Sequence, residues 1–207
     1  MSSKQFFDEV AGEWDEMRER FFSENVREKA FAVADVRPGK LAADVGAGTG
    51  FLTEGLARRG LRVIAVDQSE EMLAAMRKKF AALKGVEYRR GESESLPVED
   101  ESVDYVFANM YLHHVESPPA AIREMARILR PGGRLTITDA DEHDFEFLRE
   151  EHHDRWLGFK REDVSRWFAD AGLKNVTVGS TDELCTVDSA CSTERARITI
   201  FVASGEK

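Results

Sequence analysis

A chain of 207 residues with 42% apolar and 33% charged residues has the composition of a folded protein and the length for one sizeable core. Its 39 acidic residues outnumber the 29 basic ones, and a formal charge of −10 repels nucleic-acid backbones and anionic lipid surfaces. The start carries no apolar secretory run, no apolar stretch approaches the roughly 20 residues of a membrane span, and two cysteines, Cys185 and Cys191, are too few for a disulfide framework. A cytoplasmic protein with reduced thiols, no nucleic-acid partner and no membrane partner is therefore expected.

In chain order, Phe6, Phe7, Val10, Trp14, Met17, Phe21 and Phe22 recur three or four residues apart between charges, which predicts helix over residues 4–36 and a helical cap over 1–36. Pro38-Gly39 stops it. Residues 41–45 read as a short buried strand entering Gly46-Ala47-Gly48-Thr49-Gly50, and a helix through Phe51, Leu52, Leu56 and Ala57 ends at Gly60. Residues 62–66 form the second strand, Asp67 stands at its carboxyl end, and Ser69 caps a helix over 70–83. Strands follow over 85–90, 102–108 and 134–138, with a helix over 120–129 and the turn Pro131-Gly132-Gly133 between the last two. Strand and helix alternating at this pace predict an α/β fold, doubly wound around a mostly parallel, Rossmann-like sheet, with the ligand-binding core over 37–140.

Beyond Asp141 the order changes. Helical patterns over 145–156 and 161–171 lead to strand patterns over 174–178 and 195–203, the latter carrying the alternation Ile198, Ile200, Val202. These two strands are expected to pair as an antiparallel C-terminal edge of a seven-stranded sheet. No repeat or linker interrupts the chain, so 1–207 reads as one domain, with 141–207 supplying the later helices and closing strands.

In such a sheet the ligand lies beyond the carboxyl ends of the strands where the winding reverses, which is where Gly46, Gly48 and Gly50 fall. Without side chains they let the backbone approach a ligand, and free N–H groups of the next helix face it. Asp67 is placed to accept hydrogen bonds from both hydroxyls of a ribose. The dinucleotide fingerprint needs glycine where this chain has Phe51, which disfavours a pyrophosphate. Asp44 beside the loop suits an α-ammonium better than a phosphate.

The run Asp44-Val-Gly-Ala-Gly-Thr-Gly50, Asp67, Gly91-Glu92-Ser93 with Leu96-Pro97, and Leu112-His113-His114 resemble the class I S-adenosylmethionine-dependent methyltransferases, in their ubiquinone/menaquinone-type and small-metabolite branch. The resemblance runs from about Phe6 to Asp139. It implies S-adenosylmethionine as cofactor and a methyl transfer to a small-molecule acceptor. By the same resemblance Gly46, Ala47 and Gly48 hold the methionine moiety, Asp67 the ribose, with Gln68 and Met72 flanking it, and Glu92 and Ser93 read the adenine edge. Asn109 offers its backbone carbonyl to the ammonium, and Trp14 is a lid aromatic. Glu92 departs from the family's usual aspartate but keeps a carboxylate acceptor.

For the acceptor side, His113 and His114 stand just past the fourth strand and are candidate catalytic bases, His114 before His113, with packing as the competing role for each. The aromatics Phe6, Phe7, Phe21, Phe22, Phe145, Phe147 and Trp156 suit a partly apolar acceptor or a lid core. No metal site is expected: Asp139, Asp141 and Glu142 read as caps and solvated groups, and His143, His152 and His153 do not share a helical face. The other readings open on this fold are a nucleoside-binding regulator without turnover and an NAD-type oxidoreductase.

Overall fold

The computed structural model describes residues 3–207. Three short helices open it, α1 Ser3–Val10, α2 Trp14–Phe21 and α3 Asn25–Val33, followed by β1 Leu41–Val45, α4 Phe51–Arg58, β2 Arg62–Asp67, α5 Glu70–Lys79, β3 Val86–Arg90 and β4 Val103–Asn109. A single 3₁₀ turn at Leu112–His114 leads to α6 Pro118–Ile128 and β5 Leu129–Ala140. The chain closes with α7 Phe147–Glu151, α8 Arg161–Asp170, β6 Lys174–Asp188 and β7 Arg195–Glu206. The seven strands form one sheet in the order β3-β2-β1-β4-β5-β7-β6, and β7 runs antiparallel to both of its neighbours. The closing pair forms the expected antiparallel edge, with β7 on its inner side and β6 outermost.

The central strands are buried on both faces, as continuous apolar runs such as Val63-Ile64-Ala65-Val66 require. On one face Phe31 of α3 and Leu52 and Leu56 of α4 pack over Ala42, Val63, Tyr105 and Phe107. On the other, Ile122 and Met125 of α6 and Phe168 of α8 pack over Ala43, Val106, Leu135 and Ile137. Between β1 and β4 the winding reverses, so the carboxyl ends of these strands diverge and leave a crevice.

Besides β5, which starts at Leu129 and takes up the expected turn Pro131-Gly132-Gly133 because Val103 pairs with Leu129 ahead of a register shift, three elements depart from the sequence reading. The N-terminal helix is broken twice, at residues 11–13 around Gly12, and at Ser23, whose hydroxyl accepts the Asn25 N–H at 3.1 Å and turns the chain. The helix expected over 145–156 shrinks to α7, because tertiary bonds claim the rest. The N–H groups of Arg155 and Trp156 both reach the His113 carbonyl at 3.1 Å, and Asp141 pairs with Phe159. Strand β6 runs ten residues past the expected end, to Asp188, through a register shift at Ser180–Leu184 where Asp182 takes φ +65°. Its polar Ser180-Thr181-Asp182-Glu183 carries no strand signal, so the extension is imposed by pairing with β7.

Phe107 is fully buried in the centre of the sheet, its ring 5.5 Å from Phe31 and 6.1 Å from Tyr105. Phe107→Ala should lower the unfolding free energy by about 3–5 kcal/mol, read as a lower urea midpoint at unchanged slope.

Candidate active site

The loop after β1 is held from below. Gly46 and Ala47 donate N–H bonds to the Val66 carbonyl at 2.9 and 3.1 Å, and the Gly48 N–H donates to Asp67 Oδ2 at 2.8 Å. Asp67 Oδ1 accepts the Ser69 N–H at 2.9 Å, and the Ser69 hydroxyl caps α5 through the Met72 N–H. Gly46 adopts φ +67°, and a Cβ there would lie 2.1 Å from the Tyr111 ring, so only glycine fits between loop and tyrosine. Above the loop lies a cleft lined by Asp44, Gly46, Ala47, Gly48, Asp67, Gln68, Met72 and Asn109 from the sheet side and roofed by Phe7, Trp14, Arg18 and Phe22. Asp15 latches the roof to the loop: it accepts the Thr49 hydroxyl at 2.7 Å and the Lys79 ammonium at 2.7 Å.

The cleft is electrostatically poised. Burial pushes the Asp44 carboxyl up to about 7, although the Thr53 hydroxyl donates to it at 2.6 Å, and nearby Asp67 adds to the rise. Asp67 is also raised by burial, against the bonds from Ser69 and Gly48. On the roof of the same cleft, Arg18 is 8% exposed, its guanidinium lies 4.6 Å over the Phe51 ring and 3.6 Å from the Glu19 carboxylate, and its Nε has no hydrogen-bond partner among the described residues. A ligand carrying both a cationic and a carboxylate group complements this pairing of charges.

A second chamber adjoins the first, and Phe7, Trp14, Phe22, Met110 and His114 line both. Its walls are apolar, from Phe6, Phe21, Leu148, Val187 and Ile198, and its polar groups gather at one end. There the His113 Nδ1 lies 2.6 Å from Asp139 Oδ1, a fully buried carboxylate that also accepts the Leu112 and Ala140 N–H groups at 2.8 Å each. Burial opposes the His113 imidazolium, but Asp139 and Asp154 outweigh it and bring the group up to about 9. His114 is driven the other way, well below its ordinary value, by burial and by the neighbouring His113. Met110, between the chambers, holds φ +47°, a conformation uncommon outside glycine that re-aims the chain after β4.

Of the residues singled out in the sequence, Trp14, Asp44, Gly46, Ala47, Gly48, Asp67, Gln68, Met72 and Asn109 converge on the first cleft. His114 sits at its junction with the second chamber, and His113 lines the second alone. Gly50 does not face the cleft: it caps α4 at φ +95°, and a Cβ there would strike Phe80 and Met76 beneath the loop. Glu92 and Ser93 line a neighbouring hollow that shares Gln68, Tyr111 and His114 with the cleft. The Asn109 side chain is turned to Thr138, whose hydroxyl donates to it at 2.8 Å. Arg18 and Met110 escaped the sequence reading. Arg18 had left a signal, a charge on the apolar stripe Trp14, Met17, Phe21 of α2.

The chain is a doubly wound α/β protein with a cleft at its switch point and an adjoining apolar chamber. Residues 43–137 match the family described as "Methyltransferase domain". A demethylmenaquinone methyltransferase of Thermobifida fusca is 34% identical over 172 residues, covering 79% of this chain and 69% of that protein. An uncharacterised methyltransferase of Mycobacterium tuberculosis is 50% identical over 94 residues, 45% of this chain, and the chain spans little more than a third (37%) of that protein's length. Among solved structures, the methyltransferase in complex with the Haloferax volcanii Trm112 methyltransferase activator shares the fold, with a TM-score of 0.78 at 22% identity over 97% of this chain and 96% of that one. The chain belongs to the class I S-adenosylmethionine-dependent methyltransferase family. Among the described residues no helix is long and apolar enough to cross a membrane.

The raised Asp44 gives a pH signature. Its proton is held more tightly in the folded protein than in the unfolded chain, so its contribution to stability is present at low pH and is lost as pH rises through about 7. Asp44→Asn removes that loss, and its melting temperature should gain on wild type by a few degrees between pH 5 and pH 8. Parallel melting curves across that range would refute the assignment.

Proposed function

We propose that this protein transfers the methyl group of S-adenosylmethionine to a small, partly apolar acceptor seated in the second chamber. The observation that carries the reading is the shared boundary: the residues common to both chambers bring the reactive end of a ligand in the first against whatever occupies the second. Methyl transfer from a sulfonium is a direct displacement, for which alignment in a dry site can supply about 7–11 kcal/mol. The aromatic walls from Phe6, Phe7, Phe21 and Phe22 suit that requirement.

In this reading the backbone of Gly46, Ala47, Gly48 and Asn109 receives the methionine moiety, Arg18 pairs with its carboxylate and Asp44 offsets its ammonium. Asp67 binds the ribose between Gln68 and Met72, and the base extends past Tyr111 toward Glu92 and Ser93. His114 touches the acceptor. The Thermobifida relative is named for demethylmenaquinone, and an acceptor ring of similar apolar character matches these walls. The net charge of −10 favours such a molecule over a nucleic acid.

Incubation with methyl-labelled S-adenosylmethionine and a metabolite extract should yield a labelled small molecule. Binding of NAD with no binding of S-adenosylhomocysteine would overturn the reading. Asp67→Asn keeps one acceptor oxygen for the loop but loses the charge, and calorimetry should show S-adenosylhomocysteine affinity reduced by about 1.5–3 kcal/mol, ten- to a hundredfold. His114→Ala should reduce kcat about a hundredfold while cofactor affinity stays within about threefold; an unchanged kcat would place the acceptor contact elsewhere.

A further inference from the structure

The polar end of the second chamber, where His114 stands against the acceptor in the proposed reaction, has an arrangement that the methyl displacement itself does not require. His113 Nε2 lies 3.8 Å from Asp154 Oδ1, and His114 Nδ1 lies 3.9 Å from the same oxygen. These three atoms fall within 4.8 Å of one another. The side chains of His113, His114 and Asp154 are 9%, 8% and 9% exposed, so the group is built into the wall and not draped over the surface. Among the described residues His114 Nδ1 has no hydrogen-bond partner, an unmet need that a buried polar atom rarely keeps without a ligand. Behind His113, the Asp139 carboxylate at 2.6 Å takes up Nδ1 and leaves Nε2 to face Asp154. A carboxylate behind the imidazole is the support that metal-ligating histidines regularly have. The loop carrying Asp154 is fixed to the same turn by the bonds from Arg155 and Trp156 to the His113 carbonyl.

We infer that His113, His114 and Asp154 form a binding site for one divalent transition-metal ion, with zinc the ion that best matches the donors. Two imidazole nitrogens and one carboxylate oxygen suit zinc, whereas magnesium and calcium favour oxygen ligands throughout. Zinc bonds of about 2.0–2.2 Å place tetrahedral ligand atoms roughly 3.4 Å apart, so the two histidine-to-Asp154 spacings of 3.8 and 3.9 Å need close by only a few tenths of an ångström. Three protein ligands leave a coordination position open toward the chamber, where Cys185, His143 and His152 also line the space. The inference is independent of the methyl-transfer reading, because metal binding is measured with neither cofactor nor acceptor present.

The test is calorimetric titration of the chelator-treated full chain with zinc chloride. One ion per chain should bind with a dissociation constant in the micromolar range or tighter. His114→Gln and Asp154→Asn should each weaken it at least tenfold, while binding of S-adenosylhomocysteine reports that each variant is folded. A variant in which both cysteines are replaced by serine should keep its zinc affinity. X-ray absorption on the zinc-loaded wild type, which depends on no variant, should show imidazole and oxygen ligands without sulfur. The absence of saturable zinc binding to wild type, a sulfur shell, or full affinity in folded His114→Gln would each overturn the site. Zinc binding without any methyl transfer would count against the proposed reaction alone.

Discussion

The bond from the Gly48 N–H to Asp67 Oδ2 joins the loop after the first strand to the end of the second, beside the point between β1 and β4 where the winding of the sheet reverses. A glycine loop held at one side only would have many conformations, and ordering it would draw on binding energy. Here the Val66 carbonyl and the Asp67 carboxylate fix it before any ligand arrives. Gly46 closes against Tyr111, Thr49 reaches up to Asp15, and Gly50 seats the next helix on Phe80. Floor, back wall and roof of the cleft therefore all refer to one small piece of backbone.

Around that frame the molecule keeps charge out of water in two places and handles it differently. In the first cleft, Asp44 and Asp67 are acids raised by burial, with Arg18 on the roof and a nitrogen to spare. A bound cation offsets the cost of ionising these acids, so the site favours a positively charged ligand by relieving itself. At the end of the second chamber, Asp139 and Asp154 raise His113 against the effect of burial, while burial and His113 lower His114. Both histidines reach Asp154, but only His113 has Asp139 behind it, while His114 packs edge-on against Phe7 at 4.9 Å.

The sheet was legible because its signals are local. Apolar runs of five or six residues, glycines at the turns and Ser69 as a cap each act within a few residues, and the parallel core follows from their alternation. The first cleft was legible for the same reason: β1 and β2 neighbour each other and their carboxyl ends carry Asp44 and Asp67. What the sequence did not disclose depends on distant pairings. The five-residue α7 and the loop after it are shaped by the His113 carbonyl, far away in the chain, and the long β6 is shaped by β7. His113, His114 and Asp154 meet only because of that loop, so neither histidine motif indicated the cluster. Arg18 shows a milder case, in which the helical pattern revealed an odd residue but not what it faced.

Trp14 and Phe7 belong to the walls of both chambers, and Asp15 beside them holds the roof to the loop. A wall common to two rooms cannot move for one occupant without moving for the other. By linkage, whatever preference filling the cleft creates in the chamber, filling the chamber creates equally in the cleft. The short α1 and α2 therefore tie the shape of the chamber to the shape of the cleft through Phe7 and Trp14.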